Sequence, residues 1–173
     1  MKKIGLISDT HSFIDQRVFH HFDAVDEIWH AGDIGDIAVT DKLAEFKPLR
    51  AVYGNIDASD IRTSFPLDLH FELEGLRIYM THIGGYPPRY NPRTQPIIST
   101  TKPDLFICGH SHILKIINDK NNRCLHMNPG AAGNSGFHKV RTLIRFEIAE
   151  GTIQNAEVIE LGPKNFKLPN AID

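Results

Sequence analysis

Five short apolar runs, each ending in a small polar motif, constrain this chain more than any other feature. Ile4-Gly5-Leu6-Ile7 leads to Asp9-Thr10-His11, Glu27-Ile28-Trp29 to Gly32-Asp33, and Arg50-Ala51-Val52-Tyr53 to Gly54-Asn55. Arg77-Ile78-Tyr79-Met80 leads to Thr81-His82, and Leu105-Phe106-Ile107-Cys108 to Gly109-His110-Ser111-His112. Apolar runs of this length read as buried strands, which places the polar residues where strands end. If the strands are parallel neighbours in one sheet, their carboxyl ends form a single edge, the usual ligand crevice of open α/β sheets. Asp9, His11, Asp33, Asn55, His82, His110 and His112 would then converge.

The chain alternates in the α/β manner over its first half. A strand at residues 2–8 leads to a helix over 13–22 with Ser12 as N-cap, then a strand at 27–30 and a helix over 37–46 that Pro48 stops. A strand follows at 49–53. Leu67, Leu69, Phe71 and Leu73 then alternate with polar residues, the period of a half-buried strand, and Glu74-Gly75 turns it into a hairpin with 76–81. Further strands are expected at 104–108, 113–118, 123–127, 140–148 and 152–161, with a weak helical pattern over 95–101. The class is α/β, two mixed β-sheets packed as a sandwich flanked by helices. Residues 1–162 read as one domain and 163–173 as a C-terminal tail of irregular coil.

With 19 basic and 21 acidic residues among 173, the chain has no electrostatic footprint for nucleic acid or an anionic membrane. No segment is long enough to span a bilayer, and the apolar stretch after Met1-Lys2-Lys3 ends too soon for a signal peptide. Cys108 and Cys124 fall in strands without ligand spacing and read as buried, reduced thiols. These features point to a cytoplasmic protein, and they leave assembly into a homo-oligomer open.

The motifs speak to metal chemistry. Asp9 and His11 can address one ion if the backbone turns between them. Asp33 follows a glycine that permits close approach, and its two oxygens suit a bridge between cations. Asn55 offers a neutral amide oxygen. Mixed imidazole and carboxylate donors suit Mn, Fe, Zn or Ni rather than a calcium cage, and the absence of cysteine argues against a closed structural zinc site. Open N/O coordination with a shared carboxylate is the pattern of two-metal phosphate-ester hydrolysis.

In order and spacing, Asp9-x-His11, Gly32-Asp33, Gly54-Asn55, His82 and Gly109-His110-x-His112, followed by Asn128-Pro129-Gly130, resemble the motif series of calcineurin-like metallophosphoesterases. The short length and Gly54-Asn55-x-Asp57 resemble the small branch that holds phosphodiesterases and the retromer scaffolding subunit. The resemblance implies that Asp9, His11 and His112 hold one divalent ion, Asn55, His82 and His110 another, and Asp33 bridges them. Mn²⁺ is the first expectation. It also implies attack on phosphorus by a hydroxide between the ions, with Asp33 and Asn55 taking part in catalysis. A phosphodiester is the expected small substrate. A phosphomonoesterase, a nucleotide pyrophosphatase or a non-catalytic scaffold of the same fold are the alternatives.

Three positions depart from the family pattern. Ile56 stands where larger relatives carry a histidine often assigned as general acid, Gly84 where many small members have a second histidine, and Ala131 where a serine commonly follows Asn-Pro-Gly. His138, at the end of a glycine-containing loop, is therefore read either as acid or substrate contact or as an exposed loop residue. His30 is a candidate to orient a ligand. His20, His21, His70 and His126 read as surface or structural. Arg89 and Arg93, in a proline-rich loop just past His82, are candidate substrate contacts beside the alternative of a stiff surface loop.

Overall fold

The structure is a computed structural model describing residues 1–164. Its elements are β1 (Lys2–Ile7), α1 (Gln16–His21), β2 (Glu27–His30), α2 (Ile37–Phe46), β3 (Leu49–Ala51), α3 (Ser59–Ser64), β4 (Asp68–Leu73) and β5 (Leu76–Thr81). After them come β6 (Gly85–Tyr86), β7 (Arg89–Tyr90), α4 (Thr94–Thr101), β8 (Leu105–Ile107), β9 (Leu114–Asp119), β10 (Cys124–Pro129), β11 (Val140–Ala149) and β12 (Thr152–Pro163).

Two five-stranded mixed sheets result, ordered β12-β11-β1-β2-β3 and β4-β5-β8-β10-β9. Strands β1, β2 and β3 run parallel in the first sheet, and β5, β8 and β10 in the second. The two expected mixed sheets are present, and the five motifs come from strand ends of both. Period-2 alternation explains the layering. Ile4, Leu6, Trp29 and Ala31 point from the first sheet onto Ile78, Met80, Leu105 and Ile107 of the second. Trp29 packs edge-on against Phe71 and Phe146, with ring centroids 5.1 and 5.6 Å apart, and donates its indole N–H to Glu27. The opposite face of the first sheet, through Ile7 and Ile28, packs with Val18, Leu43 and Ile61 of α1, α2 and α3. Tyr79 and Phe106 cover the outer face of the second sheet with Ile98 of α4. The two-sheet sandwich with outer helices is therefore present.

Several boundaries move for identifiable reasons. Helix α1 begins at Gln16, not Phe13, and its cap is Asp15, whose carboxylate accepts from Arg17 N at 2.9 Å. Ser12 lies four residues before the helix with φ of 68°, left-handed where an N-cap is extended, while the backbone N–H groups of Asp9, His11 and Ser12 donate to the carbonyls of Gly32, Asp33 and Ile34. Helix α3 escapes a pattern search because Ile61 is its only buried side chain. Pro96 sits in the first turn of α4, where a missing N–H costs nothing. Strand β12 continues to Pro163 rather than ending at Leu161. The expected coil lies outside the described residues from 165 onward. Cys108 and Cys124 are buried free thiols, pushed up to about 12 by burial. Among the described residues no helix is long and apolar enough to cross a membrane.

One buried ion pair ties the first helix to the sheet. Arg141 is fully buried on β11 and donates to Asp15 at 2.9 Å, and Arg17 donates to the same carboxylate at 2.6 Å. The hydrogen bond from Arg17, against an opposing effect of burial and with help from Arg141, holds the Asp15 carboxyl at about 2. Asp15→Ala should lower the unfolding free energy by about 3–5 kcal/mol, because it strands a buried guanidinium. Urea midpoints at neutral pH will measure it. A depressed folded pKa gives stability that is full above the unfolded value and lost below it, so the gap between wild type and variant should shrink as pH falls from 3.8 through about 2.

Candidate metal centre

The ends of β1 and β2 continue side by side past the regular strands. Asp9 N donates to Gly32 O at 3.0 Å and His11 N to Asp33 O at 3.0 Å, so three candidate ligands are set together by backbone alone. His30 holds this crossing. Gly32 N donates to its Nδ1 at 3.2 Å, so its Nε2 carries the proton and meets Thr10 Oγ1 at 2.9 Å. Burial keeps the ring neutral by drawing its pKa to about 4. His30 thus supports the turn between Asp9 and His11 without touching a ligand atom.

Asp9, His11, Asp33 and His112 bring one ligand atom each within 4.8 Å of one another, and so do Asp33, His82 and His110. Asp33 belongs to both groups. Five of these residues, Asp9, His11, Asp33, His110 and His112, have φ between 47° and 68°. Left-handed backbone at non-glycine residues costs about 1 kcal/mol or more each and concentrates at functional sites. Asn55 follows Gly54, is exposed, and lies beside His82 in the cleft described below.

Tautomers follow from the hydrogen bonds. His82 Nδ1 lies 2.8 Å from the carbonyl of Ala31, which can only accept, so Nδ1 carries the proton and Nε2 in the neutral ring presents a lone pair. That lone pair faces Asp33 Oδ1 at 3.1 Å and Asp9 Oδ1 at 4.0 Å. His138 repeats the logic one step further out. Its Nε2 donates to Gly133 O at 2.9 Å, and its Nδ1 lies 3.2 Å from His112 Nδ1. Burial lowers the His138 pKa, and a neutral His138 then accepts from His112 Nδ1. His112 Nε2 is left with its lone pair 3.1 Å from Asp9 Oδ1 and 3.2 Å from His11 Nε2.

Imidazole Nε2 atoms and carboxylate oxygens therefore converge on one another. His82 Nε2 and Asp9 Oδ1 are buried without a hydrogen-bond partner. Unpaired buried polar atoms are costly unless protons or cations complete them. Desolvation opposes charging His82, yet the Asp33 and Asp9 carboxylates raise its pKa. Burial would raise Asp33, and His82 holds it below the ordinary carboxylate range. The donor set fits divalent cations of the borderline type.

Residues outside the candidate donor set hold these side chains in place. Ser8 Oγ donates to Asp9 Oδ2 at 2.6 Å, and His110 N donates to the same oxygen at 3.1 Å. Buried Asp57 accepts from Gly54 N and Gly35 N, both at 2.7 Å, which pins the Asn55 loop against the Asp33 turn. Asn128 donates to Gly109 O at 2.8 Å and Ser111 Oγ at 3.1 Å, giving the Asn-Pro-Gly motif its local purpose. Asp57 and Asn128 were visible as parts of motifs. Ser8 gave no signal.

Beside this centre lies a cavity of about 220 Å³ lined by Tyr53, Asn55, Arg62, Leu67, His82 and Arg93. Arg93 is held by Asp68 at 2.6 Å and Thr81 Oγ1 at 2.7 Å and faces this space. Arg89, the other candidate substrate contact of this loop, is exposed on β7 and is not among the residues lining the cavity. The β6–β7 ribbon carries it toward β9, where Tyr86 meets Lys115.

Gly54 is required by close approach. A Cβ there would stand 2.1 Å from Asp33 Oδ1 and 2.3 Å from Asp33 N. Gly54→Ala should displace Asp33 and weaken Mn²⁺ binding about 10-fold or more while leaving the far-UV circular dichroism unchanged. Titration calorimetry reads the change, and wild-type affinity in the variant would show that Asp33 does not need this space.

Comparison with known proteins agrees with the geometry. A family profile described as "Calcineurin-like phosphoesterase superfamily domain" matches residues 1–151. A Methanothermobacter thermautotrophicus protein named "Probable metallophosphoesterase" is 34% identical over 115 residues, covering 63% of this chain and 66% of the relative, so the match spans just under two thirds of that protein's length. Chaetomium thermophilum Vps29 has a similar fold, with a TM-score of 0.74 at 17% identity over 95% of this chain and 100% of that one. A structure titled as a novel archaeal phosphodiesterase superposes with a TM-score of 0.66 at 21% identity, covering 92% and 99% of the two chains. The chain belongs to the calcineurin-like phosphoesterase superfamily.

Proposed function

We propose that this protein is a two-metal phosphodiesterase acting on a small phosphoester. The observation that supports it best is the convergence of His82 Nε2 and His112 Nε2 on two buried carboxylates, with Asp33 common to both donor groups. In this reading Asp9, His11 and His112 hold one cation, Asn55, His82 and His110 the other, and Asp33 both. Divalent cations, Mn²⁺ first, supply Lewis acidity and a nucleophile at neutral pH when bound. The remaining chemistry belongs to side chains. Ala31 O and the His138–Gly133 relay keep His82 and His112 in the tautomers that present lone pairs. Asn55, exposed at the cleft, can offer its amide N–H to a phosphoryl oxygen.

A diester is favoured over a monoester because Arg93, facing the cleft, is already neutralised by Asp68. Among the described residues that leaves Arg62 as the single cavity-lining guanidinium outside an ion pair, and one cation is not a cluster to clamp a dianionic terminal phosphate at the reacting centre. Ile56 is exposed and brings no acid, and both His138 nitrogens are engaged, so leaving groups receive little help from this chain. His138 acts by positioning His112. The competing scaffold reading draws on Phe137, fully exposed beside His138.

Chelation should abolish hydrolysis of bis(p-nitrophenyl) phosphate and Mn²⁺ should restore it, and Asp33→Asn should lower turnover by orders of magnitude. A metal-loaded protein inert on every phosphoester tested would favour the scaffold. His138→Ala separates positioning from acid catalysis. It should weaken metal affinity about 10-fold and slow aryl and alkyl diesters by equal factors. A loss confined to alkyl diesters, with metal affinity intact, would make His138 the acid instead.

A further inference from the structure

The cavity beside Asn55 and His82 has a composition of its own. Tyr53 and Leu67 give it apolar wall, and two guanidinium groups, Arg93 and Arg62, stand at its rim. The two arginines differ in electrostatic state. Arg93 is ion-paired with Asp68 at 2.6 Å. Arg62, on α3, donates only to main-chain carbonyls, Nε to Asp57 O at 2.6 Å and Nη2 to Asn55 O at 3.1 Å. Its guanidinium lies over the Tyr53 ring at 4.9 Å, and no carboxylate among the described residues forms an ion pair with it. The two carbonyls and the ring orient the charge without cancelling it. What remains is a fixed, uncompensated cation next to an aromatic face, opening into the space that adjoins the second donor group.

We infer that this cavity is the subsite for the non-reacting arm of the substrate, and that it selects an arm with a planar ring and a second anionic group, as in a nucleotidyl diester. The inference rests on the phosphodiesterase reading above and adds the substrate class. A planar ring stacks beside Tyr53 and Leu67, where area is available at little entropy cost. A phosphate at the far end of that arm meets Arg62, whose fork of N–H donors suits phosphate oxygens.

Two p-nitrophenyl esters of thymidine 5′-phosphate, one with a free 3′-hydroxyl and one with a 3′-phosphate, share a leaving group and differ only in the second anion. Mn²⁺-loaded wild type should favour the 3′-phosphorylated ester about tenfold in kcat/KM, mostly through KM, the scale of one charge-assisted hydrogen bond. It should also bind thymidine 3′,5′-bisphosphate about tenfold more tightly than thymidine 5′-phosphate in calorimetry. In Arg62→Ala both ratios should fall toward one. Leu67 is exposed at the cavity mouth, so Leu67→Glu is tolerated by the fold, and its added negative charge should depress the same ratios without touching the Arg62 contacts.

Because Arg62 also braces the Asn55 loop, a purely structural role would slow both esters by one factor and leave the ratio as in wild type. That result would overturn the inference. Equal use of both esters by wild type would overturn it too, while leaving the phosphodiesterase reading standing. Hydrolysis of neither ester by Mn²⁺-loaded protein would bring down the phosphodiesterase reading and this inference with it.

Discussion

The centre depends on a piece of backbone pairing that outlasts its strands. Strands β1 and β2 stop at Ile7 and His30, yet Asp9, His11 and Ser12 go on donating to Gly32, Asp33 and Ile34. Main-chain bonds do the holding, so the side chains of Asp9, His11 and Asp33 stay free to turn toward one point. Left-handed backbone at these residues makes the turn, and its cost is carried by the rigid layers on both sides. His30, buried and neutral, fills the angle between the two segments with one donor and one acceptor, as the crossing demands.

The second sheet enters through the same contacts. Gly109 N donates to His82 O at 3.0 Å within that sheet, and His110 N reaches Asp9 Oδ2 at 3.1 Å and His82 Nδ1 reaches Ala31 O at 2.8 Å across to the first, so loops from opposite sheets meet at the candidate ligands. Gly109 lets them meet, since a Cβ there would stand 2.1 Å from Ser8 Oγ and 2.8 Å from Asp9 Oδ2. Sheet packing and ligand placement are therefore one problem with one solution. A change that widens the sandwich by a fraction of an ångström would move the His82 and His110 side of the centre away from the Asp9 and His11 side.

What the sequence made legible follows from this division. Strands, hairpins and the layered class were readable because period-2 burial is written in side chains such as Leu69, Phe71, Ile78 and Met80. The candidate ligands were readable because each directly follows a strand. Distribution of the motifs over two sheets was not, since strand order depends on pairings such as β1 with β11 that span most of the chain. Helix α3 was hidden by having one buried side chain, and with it Arg62, whose place beside Tyr53 is a matter of tertiary contact. The start of α1 is displaced because Ser12 has the composition of a cap but a left-handed backbone, which leaves the capping to Asp15. The His138 relay was equally invisible, since a loop histidine announces neither the carbonyl it will donate to nor the ring it will accept from.

Retention of the buried acids argues about purpose. Asp9 is fully buried and Asp33 nearly so. Asp9 Oδ2 is satisfied by a hydroxyl and an amide, but Oδ1 has no hydrogen-bond partner, and the imidazole nitrogens nearest it are held as acceptors. A fold with no use for cations would gain by replacing such a group with an apolar side chain of similar volume, because buried charges without compensation are net destabilising. This chain instead adds a second layer, Ala31 O behind His82 and His138 with Gly133 O behind His112, whose effect is to keep the unfavourable tautomers in place. Such an arrangement is stable only with positive charge between the groups, whether a proton on His82, whose pKa the carboxylates raise, or a bound cation. The arrangement makes physical sense as a site for divalent cations.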